Sequence, residues 1–242
     1  MKIIVWLLLL LLSVNGYADK VDPSDLTRLY TTASVFINNN SNIKIAGSLS
    51  GAYSETNQYM ALFEYEMGNA DKEGEFSAYY ISARAQYFQV LSTGIENMPK
   101  AGVSLDYIDN DIGVKMIAVG LLGLVNPKWT GGFMVFPNIS YNQGEILDID
   151  VDGMSANLFI SRKLNKNGTF IQFWPEYTNV SGGGKTSESL NWNFSFGTPV
   201  TADNSGWFNC KFTHGESSLS DNIVTFDVPK STSIYLGYKK YF

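Results

Sequence analysis

Apolar and polar residues alternate along most of this chain with a period of two. In 59–67 the odd positions are Tyr59, Ala61, Phe63, Tyr65 and Met67, with Glu64 and Glu66 between them. In 79–87 they are Tyr79, Ile81, Ala83, Ala85 and Tyr87, against Tyr80, Ser82, Arg84 and Gln86. Ala101, Val103, Leu105 and Tyr107 alternate with Gly102, Ser104 and Asp106. Leu190, Trp192, Phe194 and Phe196 alternate with Asn191, Asn193 and Ser195, and Phe208, Cys210 and Phe212 with Asn209, Lys211 and Thr213. Side chains of a strand point to opposite faces in turn, so each segment carries one apolar and one polar face. Helical spacing is scarce.

Two architectures use such strands. A soluble sandwich turns the apolar faces inward, and a membrane barrel turns them out. The aromatic residues gather at segment ends, as in an interfacial girdle. The polar faces hold Gly, Ser, Asn and charges of both signs, as a barrel lumen does. The pattern therefore predicts an all-β, antiparallel, up-and-down transmembrane barrel. Twelve segments fit: 25–37, 43–53, 58–68, 75–90, 100–108, 113–125, 130–142, 153–163, 168–178, 187–197, 206–215 and 230–242. An even number puts both termini on one side. Short turns are then expected on that side, at 55–57, 126–129 and 165–168, and longer loops opposite, at 142–153, 179–188 and 215–229. The links 91–100 and 198–205 are long for short turns, so ten or fourteen strands also remain open.

The start of the chain changes the picture. Lys2 precedes an apolar run from Ile3 to Val14, and Asn15-Gly16-Tyr17-Ala18 puts small residues at −3 and −1 of a cut after Ala18. This predicts a cleaved Sec-type signal peptide over 1–18 and one domain over 19–242. The run is about a dozen residues, short of the roughly 20 that span a bilayer as a helix. Cys210 is the lone cysteine, which excludes an intramolecular disulfide. The net charge is −6, without a basic cluster, so nucleic acid is not an expected partner.

The chain ends Ile234-Tyr235-Leu236-Gly237-Tyr238-Lys239-Lys240-Tyr241-Phe242, with Ile234, Leu236, Tyr238 and Phe242 on one face. This resembles the terminal strand of Gram-negative outer-membrane β-barrel proteins, which ends on Phe after alternating apolar residues. Lys240 departs from that pattern, where an apolar residue is expected. The resemblance covers the leader, the strand pattern and the last strand. It implies residence in the bacterial outer membrane, with both termini in the periplasm. It also implies contact with outer-membrane lipid and lipopolysaccharide, and handling by periplasmic chaperones and the barrel-assembly machinery. A monomer is the default expectation.

Candidate chemistry is sparse, and no cofactor is expected. His214 is the only histidine and shares a face with Phe212. A lipid hydrolase would need it beside a serine, and Ser217 and Ser218 lie just beyond. Asp148, Asp150 and Asp152, followed by Gly153, match the opening of a calcium loop, but the twelfth position is Phe159 rather than Glu. Gly182-Gly183-Gly184-Lys185-Thr186 lacks the earlier glycine and the helix of a phosphate loop and reads as a mobile loop. By parity, Glu64, Glu66, Arg84, Asp106, Lys115, Glu176, Lys211 and Lys239 point inward, four acids and four bases. Trp174, Trp207, Tyr80 and Phe88 fall on the same side and are read as filling the lumen rather than forming a slide. The charges either pair into a plug or line a narrow passive channel for polar solutes. The channel is the leading expectation, a non-conducting structural or surface-binding barrel its rival, and an enzyme a distant third. Mass spectrometry of protein from a Gram-negative host should give Asp19 as the mature N-terminus, and an N-terminus at Met1 would remove the leader.

Overall fold

The computed structural model describes residues 21–25, 28, 30–69, 78–221 and 225–242. The expected leader, 1–18, lies outside them. The strands are β1 (Thr32–Asn38), β2 (Ile43–Ser54), β3 (Asn57–Asn69), β4 (Ala78–Ile95), β5 (Met98–Asn110) and β6 (Val114–Leu124). They continue as β7 (Met134–Ile146), β8 (Ile149–Lys163), β9 (Phe170–Gly182), β10 (Lys185–Pro199), β11 (Gly206–Asp221) and β12 (Thr225–Tyr241). Each pairs antiparallel with its sequence neighbours, and β1 pairs with β12, so the twelve close into one barrel. All twelve expected segments are present, in the expected order.

The alternation resolves into an inside and an outside. On β7, Phe136, Asn138, Ser140 and Asn142 are buried, while Ile139 is 60 % exposed. On β6, Leu121 is 70 % and Val119 59 % exposed. Large side chains so exposed on an ordered sheet form a surface that hydrocarbon, not water, would solvate. A row of tyrosines, Tyr53, Tyr59 and Tyr87, bounds this belt at the end carrying the termini, with ring centroids 4.9 and 6.4 Å apart. At the distal end Tyr107 and Tyr141 are exposed on the same face. Beyond them Asp109, Lys115, Glu145 and Asp150 stand opposite one another on successive strands.

That row carries one correction. Lys115 shares the exposed face of β6 with Ile117 and Val119, so it points outward and not into the lumen. The apolar strand β6 shows no alternation from which its parity can be read. Its inner face narrows to Ala118 and Gly120, where the neighbours close over it. Asn138 Nδ2 donates to Ser104 Oγ at 2.9 Å across Gly120, where a Cβ would come within 2.5 Å of the hydroxyl.

A second correction comes from a bulge. The β3–β4 register shifts between Glu66 and Met67, so that Glu66 faces Ser82 while Met67 faces Tyr80. One extra residue inverts side-chain direction beyond it. Tyr80 therefore stands outside, its ring 5.7 Å from Tyr65, and Tyr79 lies over Gly68.

The short turn expected at 55–57 is present as Glu55-Thr56, but most other connection lengths depart from the expectation. The expected distal loops 142–153 and 179–188 are strands running on into two-residue hairpins, Leu147-Asp148 and Gly183-Gly184. All four turn residues have positive φ (51°, 61°, 56° and 76°), the geometry of a type I′ turn. The region 215–229 is largely strand as well, with 222–224 outside the described residues. Past the lipid belt both faces of a strand meet water, so apolar alternation fades and the segment reads as loop. The three-glycine segment is accordingly a tight turn, not a mobile loop. The link 91–100 is also strand, turning at Glu96-Asn97. Among the described residues the longer connections, 125–133, 164–169 and 200–205, lie at the terminal end.

Lys240 has its reason there. Its ammonium donates to Ser205 Oγ at 2.7 Å and is buried under the 200–205 turn. Hydrogen bonds from Ser205 and Thr201 hold the Asp203 carboxyl well below the usual carboxylate range, and Lys240 adds to this. The final strand keeps Ile234 and Leu236 exposed on the outer face, and Phe242 N donates to Thr31 O just past the last pair.

Leu147 is a bulky residue in a left-handed conformation and is 58 % exposed. Such a conformation costs an L-residue roughly 1–2 kcal/mol that glycine avoids. Leu147→Gly should therefore stabilise the folded barrel by about 1 kcal/mol, read as a higher urea midpoint in detergent; an unchanged or lower midpoint would count against the strained tip.

Candidate functional site

The inner face holds the site. Two chambers lie in the lumen, about 330 Å³ toward the terminal end and about 550 Å³ toward the distal end. Arg84, Gln86, Phe88, Phe159 and Glu176 line both, so these side chains form the partition. Arg84 on β4 makes a salt bridge to Asp106 on neighbouring β5 at 2.6 Å. The same nitrogen meets Glu176 on β9 at 2.9 Å. Because β4 and β9 are five strands apart in a ring of twelve, that second contact crosses the barrel. The rings of Phe88 and Phe159 meet edge-on across the same gap, 6.3 Å between centroids.

A second charged cluster sits beside this strut. Lys44 lies 3.5 Å from Glu64 and 3.2 Å from Glu66. Glu66 also accepts hydrogen bonds from Asn38 at 3.2 Å and from Tyr235 at 3.1 Å. Such acids and bases need partners once removed from bulk water, and here the carboxylates have them. Asp106 takes a further bond from Gln86, and Glu176 one from Asn193. Lys211 and Lys239 differ. Their ammoniums stand over aromatic rings, 5.1 Å from Trp174 and 6.0 Å from Tyr241.

Of the expected inward charges, Glu64, Arg84, Glu176, Lys211 and Lys239 line the terminal chamber, Asp106 lines the distal one, and Glu66 is buried behind Lys44. Lys115 is replaced by Lys44, which keeps the balance of four and four. Lys44 was legible by parity, since it alternates with Ile43 and Ile45 in the second segment. Of the expected inward aromatics, Phe88 and Trp174 line the lumen. Trp207 is fully buried and fills space.

The terminal end is closed by a feature the alternation did not show. The first strand begins at Thr32 and not at 25. Described residues before it, Val21 to Pro23 and Tyr30, pack against the barrel end. Val21, Phe170, Trp207 and Tyr241 form a buried cluster, and Tyr30 packs on Tyr241 with centroids 5.4 Å apart. Asp22 Oδ2 binds Lys163 at 2.7 Å, and Pro23 O accepts from Gln172 at 3.3 Å. Burial alone would raise the Asp22 pKa, but the Lys163 ammonium and the Ser24 hydroxyl outweigh it and hold it below its ordinary value.

The other candidates do not assemble. His214 Nδ1 meets Thr232 Oγ1 at 2.8 Å, and Nε2 meets Glu216 at 3.4 Å. Glu216 is also bound to Lys230 at 2.7 Å. Ser217 and Ser218 line the distal chamber, and no described contact joins them to His214. Asp148 is at a hairpin tip, Asp150 and Asp152 are exposed on β8, and Asp152 accepts a hydrogen bond from Tyr141. No described group of three such residues converges on a point where a metal ion would sit.

No model of a known protein family matches the chain, and no curated protein matches it. Solved structures resemble it at low scores. Outer-membrane-expressed OmpT of Vibrio cholerae is 6 % identical with a TM-score of 0.46, covering 89 % of this chain and 97 % of that one. The Acinetobacter baumannii outer-membrane protein Omp33 is 12 % identical with a TM-score of 0.37, covering 89 % and 98 %. The barrel reading rests on the ring of strand pairs itself.

The Asp22–Lys163 contact makes the terminal closure pH-dependent. A depressed carboxyl pKa contributes stability above the ordinary value of 3.8, and this is lost as pH falls through the folded value. Quenching of tryptophan fluorescence by acrylamide should stay flat from neutral pH down to that range and rise below it, and Asp22→Asn should remove the step. A step that survived in Asp22→Asn would assign it elsewhere.

Proposed function

We propose that this chain is an outer-membrane barrel that passes small polar solutes through a lumen held shut at rest. The carrying observation is the pair of chambers on one axis, separated by the strut Arg84–Glu176 and its two aromatic neighbours. A barrel built only as scaffold gains little from two solvent-sized cavities along its axis. A channel needs both, and one cross-lumen salt bridge is a small obstacle to move. In this reading lipid and lipopolysaccharide cover the belt of exposed Leu, Ile and Val. The strand ending on Phe242 is what the barrel-assembly machinery reads after periplasmic chaperones deliver the chain. His214 has no catalytic part, and phospholipid hydrolysis should not depend on it.

The closure by Val21, Asp22, Pro23 and Tyr30 favours a second reading, a non-conducting barrel. Planar-bilayer recording separates the two. Wild-type protein should give rare, small openings. Arg84→Ala, which removes the strut, should raise unit conductance, and deletion of 21–30 should raise open time. Silence from the wild type and from both variants, all inserted and folded, would leave the non-conducting barrel standing.

A further inference from the structure

We infer that the terminal chamber is a binding site for an organic anion with an apolar body, held by Lys211 and Lys239. The inference rests first on an accounting of hydrogen-bond donors. Each inward carboxylate already has a cation or a hydrogen-bond donor within reach: Glu64 has Lys44, Glu66 has Lys44, Asn38 and Tyr235, Asp106 has Arg84 and Gln86, and Glu176 has Arg84 and Asn193. Among the inward cations Lys44 and Arg84 are likewise engaged. Lys211 and Lys239 line the terminal chamber and make no described hydrogen bond or ion pair; the Glu64 carboxylate, already bonded to Lys44, acts on both only through space. An ammonium carries three donors and no acceptor, so an anion or water must satisfy these two.

The walls decide which kind of anion. Trp174 and Tyr241 stand under the two lysines, and Phe36, Phe136, Phe170 and Leu122 line the same chamber. A strongly hydrated inorganic ion gains nothing from such a lining. A carboxylate attached to a ring or a short hydrocarbon loses less water and buries its body against the aromatics while its head meets the ammoniums. The aromatic rings under the two ammoniums hold them in the lumen and leave their N–H donors open. The site does not require the barrel to conduct.

The test is titration of folded, detergent-solubilised protein with benzoate, followed by tryptophan fluorescence and calorimetry. Benzyl alcohol supplies the same ring without the charge, and inorganic phosphate the charge without the ring. Benzoate should bind saturably. Benzyl alcohol and phosphate should each be weaker by about tenfold or more, since each lacks one half of the recognition. Lys211→Met should cost benzoate about tenfold and leave benzyl alcohol unchanged, while Lys211→Arg should bind as wild type. Equal binding of benzoate and benzyl alcohol in the wild type would overturn the role of the lysines without any variant. Phosphate competing as well as benzoate would overturn the apolar half. A protein that binds benzoate but never conducts would fail the channel and keep the site.

Discussion

A backbone amide facing hydrocarbon has no water to bond, and that constraint governs the whole molecule. Strands can live there only if the sheet has no edge. The pairing of β1 with β12 supplies the closure, through seven residue pairs where β10 and β11 share fifteen. Once the ring is closed, a face must be chosen for each side chain. Leu121, Ile139 and Val119 go out, and Ser104, Asn138 and Arg84 go in. The lumen is then a narrow polar interior where every charge has to find a partner or stay wet.

The charged belt answers that demand unevenly. Arg84 serves two carboxylates on different walls, and Lys44 serves two on one wall. This concentrates the acids around two cations and leaves two lysines over aromatic rings. The same economy divides the interior into two rooms. Below the partition, Val21 and its aromatic neighbours close the floor, so the terminal room is bounded by charge above and by packing beneath.

How much of this was legible follows from what alternation can encode. It located all twelve strands and seven of the eight inward charges, because a half-buried strand writes its two faces into the sequence. It was silent where both faces are alike. Lys115 sits on β6, apolar on either side, and its parity had to be guessed. Tyr80 lies just before a bulge, a single inserted residue that no periodicity announces. The distal strand ends, wet on both faces, looked like loops. The docking of Val21 and Asp22 left no local trace, since its partners Lys163, Phe170 and Trp207 lie far along the chain. Which charges pair across the lumen is equally non-local: Arg84 and Glu176 are joined by the curvature of the ring, not by spacing.

The two-residue hairpins have a consequence for anything that approaches from their side. A long loop offers a flexible peptide that an antibody, a phage tail or a protease can pull into its own groove. The tips at Leu147-Asp148 and Gly183-Gly184 offer only a turn already committed to its hairpin. At these two tips a partner would meet a fixed turn of backbone and a few side chains in place, so variation there is limited to point substitutions rather than insertions.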